Sequence, residues 1–225
     1  MSFVLGIPRC AEPPAIFGAT IKAALASTAQ PLARIIVDNG DGPLDPVAGF
    51  ELLRPGRNIG CAGAWNVLCR AGFERGADSV ILINGDCAVA PDTFARMLAS
   101  AHKLVAAQGF SCFRIDRGLW QSIGEFDEAY YPVYWEDTDY RRRLGLAGEV
   151  IDEWPLVEIA RPSYGRAVYQ SGITHGWLIE GAGYQGWTGE RQAWFHERWK
   201  ANRDRYVAKW GGMPGEETLS TPFGR

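Results

Sequence analysis

The chain has 225 residues, a length that suits one domain and suffices to bury a core without disulfide or metal staples. Hydrophobic residues make up 47% and charged residues 22%, the balance of a soluble globular protein. The formal net charge of −3 excludes a broad basic footprint for nucleic acid. Residues 1–14 lack a basic start followed by a long apolar run, and nowhere is there an apolar stretch long enough to span a bilayer. The expectation is a cytoplasmic protein, with peripheral contact at the inner face of the membrane left open. The five cysteines include no C-x-x-C pair, which argues against a zinc knuckle and for reduced thiols acting as small hydrophobes.

The first half alternates strand and helix. Phe3 to Ile7 reads as a buried strand stopped by Pro8. Pro14 opens a helix to about Ala26, with Ile16, Ile21 and Leu25 inward. Ala33 to Val37 is a second buried strand, ended by the turn residues Asp38-Asn39-Gly40. Phe50 to Leu53 is a third strand, Gly60 to Gly72 a helix, and Ser79 to Ile83 a strand ending at Asn84-Gly85-Asp86. Pro91 then opens a long helix through Phe94, Met97, Leu98, Ala101 and Val105. Beyond it lie a strand over Phe110 to Ile115, a loop-rich aromatic section from Gly118 to Tyr134 and a helix over Glu136 to Leu146. One or two strands around Pro155, a glycine-rich stretch and a helix over Arg191 to Trp210 complete the chain; residues 213–225 read as a flexible tail.

Such alternation predicts a mainly parallel sheet with helices on both faces. Ligands of such sheets bind beyond the carboxyl ends of the strands. The polar residues at those ends are Pro8-Arg9, Asp38-Asn39 and Asn84-Gly85-Asp86. Asp86 could hold a hard cation such as Mg²⁺ or Mn²⁺, or cap its turn. Glu136, Asp137 and Asp139 crowd a helix start, where the dipole favours acids and where Asp137 could also serve as a general base. His175 could be a metal or phosphate ligand, and the small residues after Asn58 could let backbone approach a nucleotide.

Taken together, these segments resemble the family 2 glycosyltransferases, in particular their rhamnosyltransferase-like branch. Ile36-Val37-Asp38-Asn39 is similar to the family's V-D-N-x-S segment. Asn58-x-Gly60 with Asn66 resembles its N-x-G helix entry, and Asn84-Gly85-Asp86 stands at its D-x-D metal motif, with Asn84 replacing the first acid. Gly124-Glu125-Phe126-Asp127-Glu128 is similar to its G-G-F-D-E loop, and Trp135-Glu136-Asp137-Thr138-Asp139 with Arg143 to its E-D-x-D-L-x-x-R helix start.

The resemblance implies one GT-A-type (Rossmann-like) domain over 1–212, with a nucleotide-binding half to about 115 and an acceptor-binding half from 116. It implies an inverting transfer from a UDP-, dTDP- or GDP-sugar to a glycan, lipid-linked or other hydroxyl acceptor. Pro8, Arg9, Asp38, Asn58, Gly60, Asn66 and Asn84 would bind the nucleotide. Asp86 and His175 would hold Mn²⁺ or Mg²⁺, and Asp137 would be the base. Phe126, Asp127, Trp135 and Glu136 would form the acceptor or donor loop, and the aromatics around Trp177, Tyr184 and Trp187 the acceptor side. A homodimer is compatible with this reading. The alternatives are a nucleotidyltransferase on a similar sheet, whose glycine-rich, lysine-containing loop is missing after the first strand, and a non-catalytic sugar-binding relative.

Overall fold

The structure is a computed structural model. It describes residues 1–10, 12, 14–40, 42–107, 109–154, 158–160, 168–169, 173–175 and 190–225, with side chains described outside 155–189 and 191–192. In order, the chain forms β1 (Phe3–Arg9), α1 (Pro14–Leu25), β2 (Arg34–Asp38), β3 (Glu51–Leu53), α2 (Gly60–Glu74) and β4 (Ser79–Ile83). Then come β5 (Cys87–Val89), α3 (Thr93–Ala99), β6 (Leu104–Ala107), β7 (Cys112–Asp116), α4 (Arg117–Ile123), α5 (Glu136–Leu146) and β8 (Ile151–Trp154). β9 (Glu158–Ala160), β10 (Val168–Tyr169), β11 (Ile173–His175) and α6 (Glu190–Trp210) follow.

Seven strands form one sheet in the order β3-β2-β1-β4-β7-β6-β8. All neighbours are parallel except β7, which runs against both β4 and β6. The pleat sends alternate residues to opposite faces. Val4, Ile35, Val37, Val80 and Leu82 pack under α2, α4 and α5, while Phe3, Leu5, Ile7, Ile36 and Ile81 pack under α1 and α3. Burial on both faces explains why β1, β2 and β4 are continuous apolar runs.

Several expectations are corrected. β1 continues through Pro8 to Arg9; its ladder to β4 ends at Gly6, so along that side the ring removes no needed donor. Leu25 is 45% exposed, and Phe17, Thr20 and Ala24 complete the buried stripe of α1. The long helix after Pro91 stops at Ala99, and Val105 lies in β6. The cause is Arg114 on β7, whose buried guanidinium collects the carbonyls of Met97, Ser100 and His102 and so ends the helix. Arg117 to Ile123, expected in loop, forms α4.

Residues 213–225 were expected to fray but fold back: Thr218 and Leu219 donate their N–H groups to the Trp210 carbonyl, and Arg142 donates to that of Leu219. The helix preceding them is fastened by buried charge. Lys209 Nζ lies 2.7 Å from Asp139 Oδ1 on α5 and 2.9 Å from Asp127 Oδ2. Asp139 also receives Arg143 Nε at 3.0 Å and Trp210 Nε1 at 2.9 Å. Tyr130, Trp135, Tyr206 and Trp210 pack around this knot. Breaking one member of a buried ionic set leaves its partners uncompensated, at about 3–5 kcal/mol. Lys209→Met should therefore lower stability to chemical denaturant by about 3 kcal/mol. A loss well under about 1 kcal/mol, the value typical of an exposed pair, would show that the knot does not hold α6.

Candidate active site

Because β1, β2 and β4 are parallel, their carboxyl ends lie along one edge, with Arg9 opposite Asp38 in register. Asp38 is enclosed: Arg9 Nη1 is 3.1 Å away, Arg54 Nε 3.7 Å, and the Leu44 N–H donates at 2.8 Å. Arg9 also donates to the Gly42 carbonyl at 2.7 Å. Arg9 and Asp38 thus shape the loop after β2 and line its floor.

Asn39, a strand-end residue to which the sequence assigns no separate role, brackets the start of α2. Its Nδ2 donates to the Gly60 carbonyl at 3.0 Å, and its Oδ1 accepts the Ile59 N–H at 2.7 Å. Asn58 Oδ1 accepts the Gly60 N–H at 2.9 Å, and its Nδ2 lies 3.8 Å from Cys10 Sγ. Gly60 has φ +77°, and a Cβ there would come within 3.0 Å of the Pro132 carbonyl oxygen and the Tyr131 ring. Only glycine fits both conditions. The Cys61 N–H donates to that same carbonyl at 2.7 Å, so the start of α2 is sewn to the aromatic loop.

The turn Asn84-Gly85-Asp86 meets a residue the sequence reading passed over. Glu12 presses against Gly85, where an added Cβ would lie 2.8 Å from its Oε1. Its Oε2 accepts the Cys10 N–H at 2.7 Å. Burial pushes the Glu12 carboxyl up to about 7, and the charge of Asp86 adds to the rise. Thr20 Oγ1 donates to the Gly85 carbonyl at 2.8 Å and fixes the turn from below. β11 pairs antiparallel with β5, bringing the His175 backbone opposite Cys87, one residue beyond Asp86. The His175 side chain lies outside the described residues, as do Trp177, Tyr184 and Trp187.

The other half of the site is the start of α5. Glu136 is buried at 3% exposure, hydrogen-bonded to the Cys61 thiol, and its Oε2 has no partner among the described residues. Burial, with the Asp137 charge behind it, pushes the Glu136 carboxyl up to about 8. Asp137 Oδ1 accepts the Thr138 N–H at 2.8 Å. Burial raises the Asp137 carboxyl above its ordinary range, and the Thr138 N–H and Arg141 pull the other way. The Tyr134 hydroxyl, pushed up mainly by burial, also stands in the fields of Glu136, Asp86, Cys61 and Asp137. Tyr134 thus stands in the field of both the strand-end acid and the helix-start acids.

Four expected ligand contacts are turned inward instead. Asn66 is fully buried; its amide brackets Phe126, accepting its N–H and donating to its carbonyl, each at 2.9 Å. Phe126 stacks on Tyr140 in the core, with ring centroids 4.2 Å apart. Trp135 joins the aromatic cluster around α6. Asp127 meets Lys209 and Arg205; burial opposes its ionisation, but these cations and the Ala129 N–H outweigh it and hold its carboxyl below the usual range. These four side chains hold the loop in place against α2, α5 and α6.

A divalent cation of the hard type takes one or two carboxylates, with phosphate oxygens and water completing its shell. Asp86, beside Glu12, fits that requirement, and among the described residues no group of three or more His, Cys, Asp and Glu forms a self-sufficient metal cage. No helix among the described residues is long and apolar enough to cross a membrane.

Glu136 gives a stability signature. Unfolded, it ionises above its ordinary 4.5; folded, it keeps its proton up to about 8. Between these values the native state binds the extra proton, so stability falls as pH rises. Glu136→Gln removes that contribution, and melting temperatures across this window should fall less steeply for the variant. Parallel slopes would refute a neutral buried carboxyl.

No protein-family model and no curated protein matches the sequence. Among solved structures, the chain is similar to the mannosyltransferase PcManGT from Pyrobaculum calidifontis in complex with GDP-Man and Mn²⁺. The TM-score is 0.54 at 18% identity, over 72% of this chain and 58% of that one. It is similar to GalNAc-T7 with UDP, GalNAc and Mn²⁺, with a TM-score of 0.57 at 10% identity over 92% of this chain and 50% of that one. It is also similar to S. aureus TarS 1–349, with a TM-score of 0.53 at 10% identity over 68% and 58%. The chain thus spans between 50% and 58% of the length of these three structures. At such identities the likeness is one of fold: a mainly parallel seven-stranded sheet between helices, the α/β fold of the GT-A glycosyltransferases.

Proposed function

We propose that this protein is an inverting glycosyltransferase of the family 2, rhamnosyltransferase-like type, moving a sugar from a nucleotide-diphosphate sugar to an acceptor hydroxyl. The observation that carries the proposal is the placement of Asp86 in the turn that follows the parallel strand β4 and of the acids Glu136 and Asp137 at the start of α5, on a fold shared with nucleotide-sugar enzymes. One acid faces a donor diphosphate lying along the strand ends, and the other faces an incoming acceptor. The ligands of two fold neighbours, GDP-Man with Mn²⁺ and UDP with Mn²⁺, support a nucleotide donor and a divalent metal.

In this reading Arg9, Asp38 and Asn58 bound the nucleotide pocket, with Pro8, Gly60 and Asn84 on its backbone rim. Asp86 holds the divalent ion, with His175 beside it in the backbone register. A cation bound there supplies positive charge against the charge gathering on the departing diphosphate. Asp137 takes the proton of the acceptor hydroxyl as the acceptor oxygen bonds to the anomeric carbon. The bond from that carbon to the phosphate oxygen breaks, and its electron pair leaves with the nucleoside diphosphate. Burial raises the basicity of Asp137, bringing it nearer the value that suits a general base at neutral pH. Mn²⁺ and Mg²⁺ both meet the oxygen-rich requirement. Work on a cytoplasmic donor, at the inner face of a membrane or away from it, fits this chemistry.

Thermal melting with UDP, GDP, dTDP and CDP, each with and without Mn²⁺, identifies the donor nucleotide. Saturation at about 100 times Kd adds about 2.7 kcal/mol, a rise of several degrees for a domain of this size. The rise should need Mn²⁺ and vanish in Asp86→Asn. Asp137→Asn should retain it while losing at least about 100-fold in turnover of the matching nucleotide sugar. Absence of any metal-dependent shift with all four nucleotides would sink the proposal.

A further inference from the structure

The segment that delivers Glu136 and Asp137 to the site has an unfavourable backbone. Tyr134 and Trp135 have φ of 73° and 78°, consecutive left-handed residues without a glycine. Such conformations persist only where surrounding structure imposes them. Nothing in the local sequence does so. The constraint comes from α6, where Asn202, 4% exposed, donates its Nδ2 to the carbonyls of Val133 at 3.1 Å and Tyr134 at 3.2 Å. Phe195, on the same helix, meets the Tyr134 ring edge-on at 5.3 Å between centroids.

We infer that Asn202 is a positioning residue for the reaction: it holds the left-handed turn at Tyr134 and Trp135 that leads into Glu136 and Asp137 and so sets their aim. The inference rests on the reading of Asp137 as the base. The division of labour on α6 makes it specific. Lys209 and Trp210 grip α5 through Asp139, one turn inside the helix. Asn202 grips the main chain just before the helix begins. Removing it leaves α5 docked but frees its entry, so the cost falls on aim rather than on folding. A displacement of about 1 Å at a reacting group can cost about 100-fold in rate.

The test uses Asn202→Ala, Asn202→Asp and Asn202→Gln in the full chain. Aspartate keeps the size of asparagine but replaces its donor with an acceptor facing two carbonyl oxygens. Glutamine keeps the amide donor on a longer stem. With the nucleotide sugar that the melting panel selects, and Mn²⁺, the Ala and Asp variants should lose about 10- to 100-fold in kcat. Their donor KM and their nucleotide-dependent melting shift should stay at wild-type values, and Gln should recover part of the loss. Hydrogen–deuterium exchange, which needs no turnover, should quicken at the amides of residues 134–138 in the Ala and Asp variants. Wild-type kcat or wild-type exchange in a folded Asp variant would overturn the inference. So would a parallel loss of kcat, donor binding and melting temperature in all three. Full turnover in Asp137→Asn removes the base assignment instead, a failure distinct from that of Asn202, whose hold on the turn the exchange measurement reads directly.

Discussion

The architecture of the second half depends on one buried carboxylate. Asp139 is inaccessible to solvent, yet it meets Arg143, Lys209, the Trp210 indole and the Tyr130 hydroxyl. An ion taken out of water loses several kcal/mol of solvation, and its partners recover this only if they are all in place. Such a knot adds little net stability over an apolar replacement, but it tolerates no other arrangement. Its worth is that it fixes how α6, far along the chain, lies against α5 and the Phe126–Tyr130 loop.

From that fixed contact the site is assembled by backbone capture. Asn66 brackets Phe126, Asn39 brackets the α2 entry, and Asn202 brackets the turn before α5. Each asparagine uses a side-chain amide to replace a hydrogen bond that irregular backbone cannot make with a regular neighbour. Loops secured this way keep their polar groups satisfied while setting Glu12 against the Gly85–Asp86 turn and Glu136 beside Asp137 at the start of α5. Burial raises the proton affinity of Glu12, Glu136 and Asp137, and a neighbouring carboxylate adds to the rise at Glu12 and at Glu136. Each of these acid pairs carries charge that a cation or a donated proton would relieve.

The parts legible in the sequence are those decided locally. β1, β2 and β4 announce themselves because both faces are buried, and the polar residues that end them stand where an α/β sheet presents its ligand edge. The start of α5 is legible from its acids. The misreadings share a cause: the deciding partner is distant. Apolar spacing from Phe94 to Val105 suits a helix, and only Arg114, reaching back from β7, ends it at Ala99. Glu12 sits between Ala11 and Pro13, where a carboxylate reads as a turn residue until Gly85 closes over it. Asn202 and Lys209 look like ordinary positions on an amphipathic helix, because their partners lie 68–69 and 70–82 residues earlier. The motif that assigns Phe126 and Trp135 to the acceptor or donor loop does not foretell their packing, because their ring partners lie on α2, α5 and α6.

The contact between the Cys61 thiol and Glu136 has a consequence for reactivity. A cysteine attacks electrophiles, oxidants and other sulfur atoms as its thiolate, and an electropositive surrounding is what releases the proton. Here the surroundings are the opposite. Burial together with Glu136 and Asp137 holds the Cys61 thiol well above its ordinary value, and burial together with Asp86 does the same for Cys87. Burial, with the neighbouring acids adding to it, thus keeps the sulfur in its least nucleophilic form. Thiols held this way are insulated from alkylation and peroxide for as long as they stay buried.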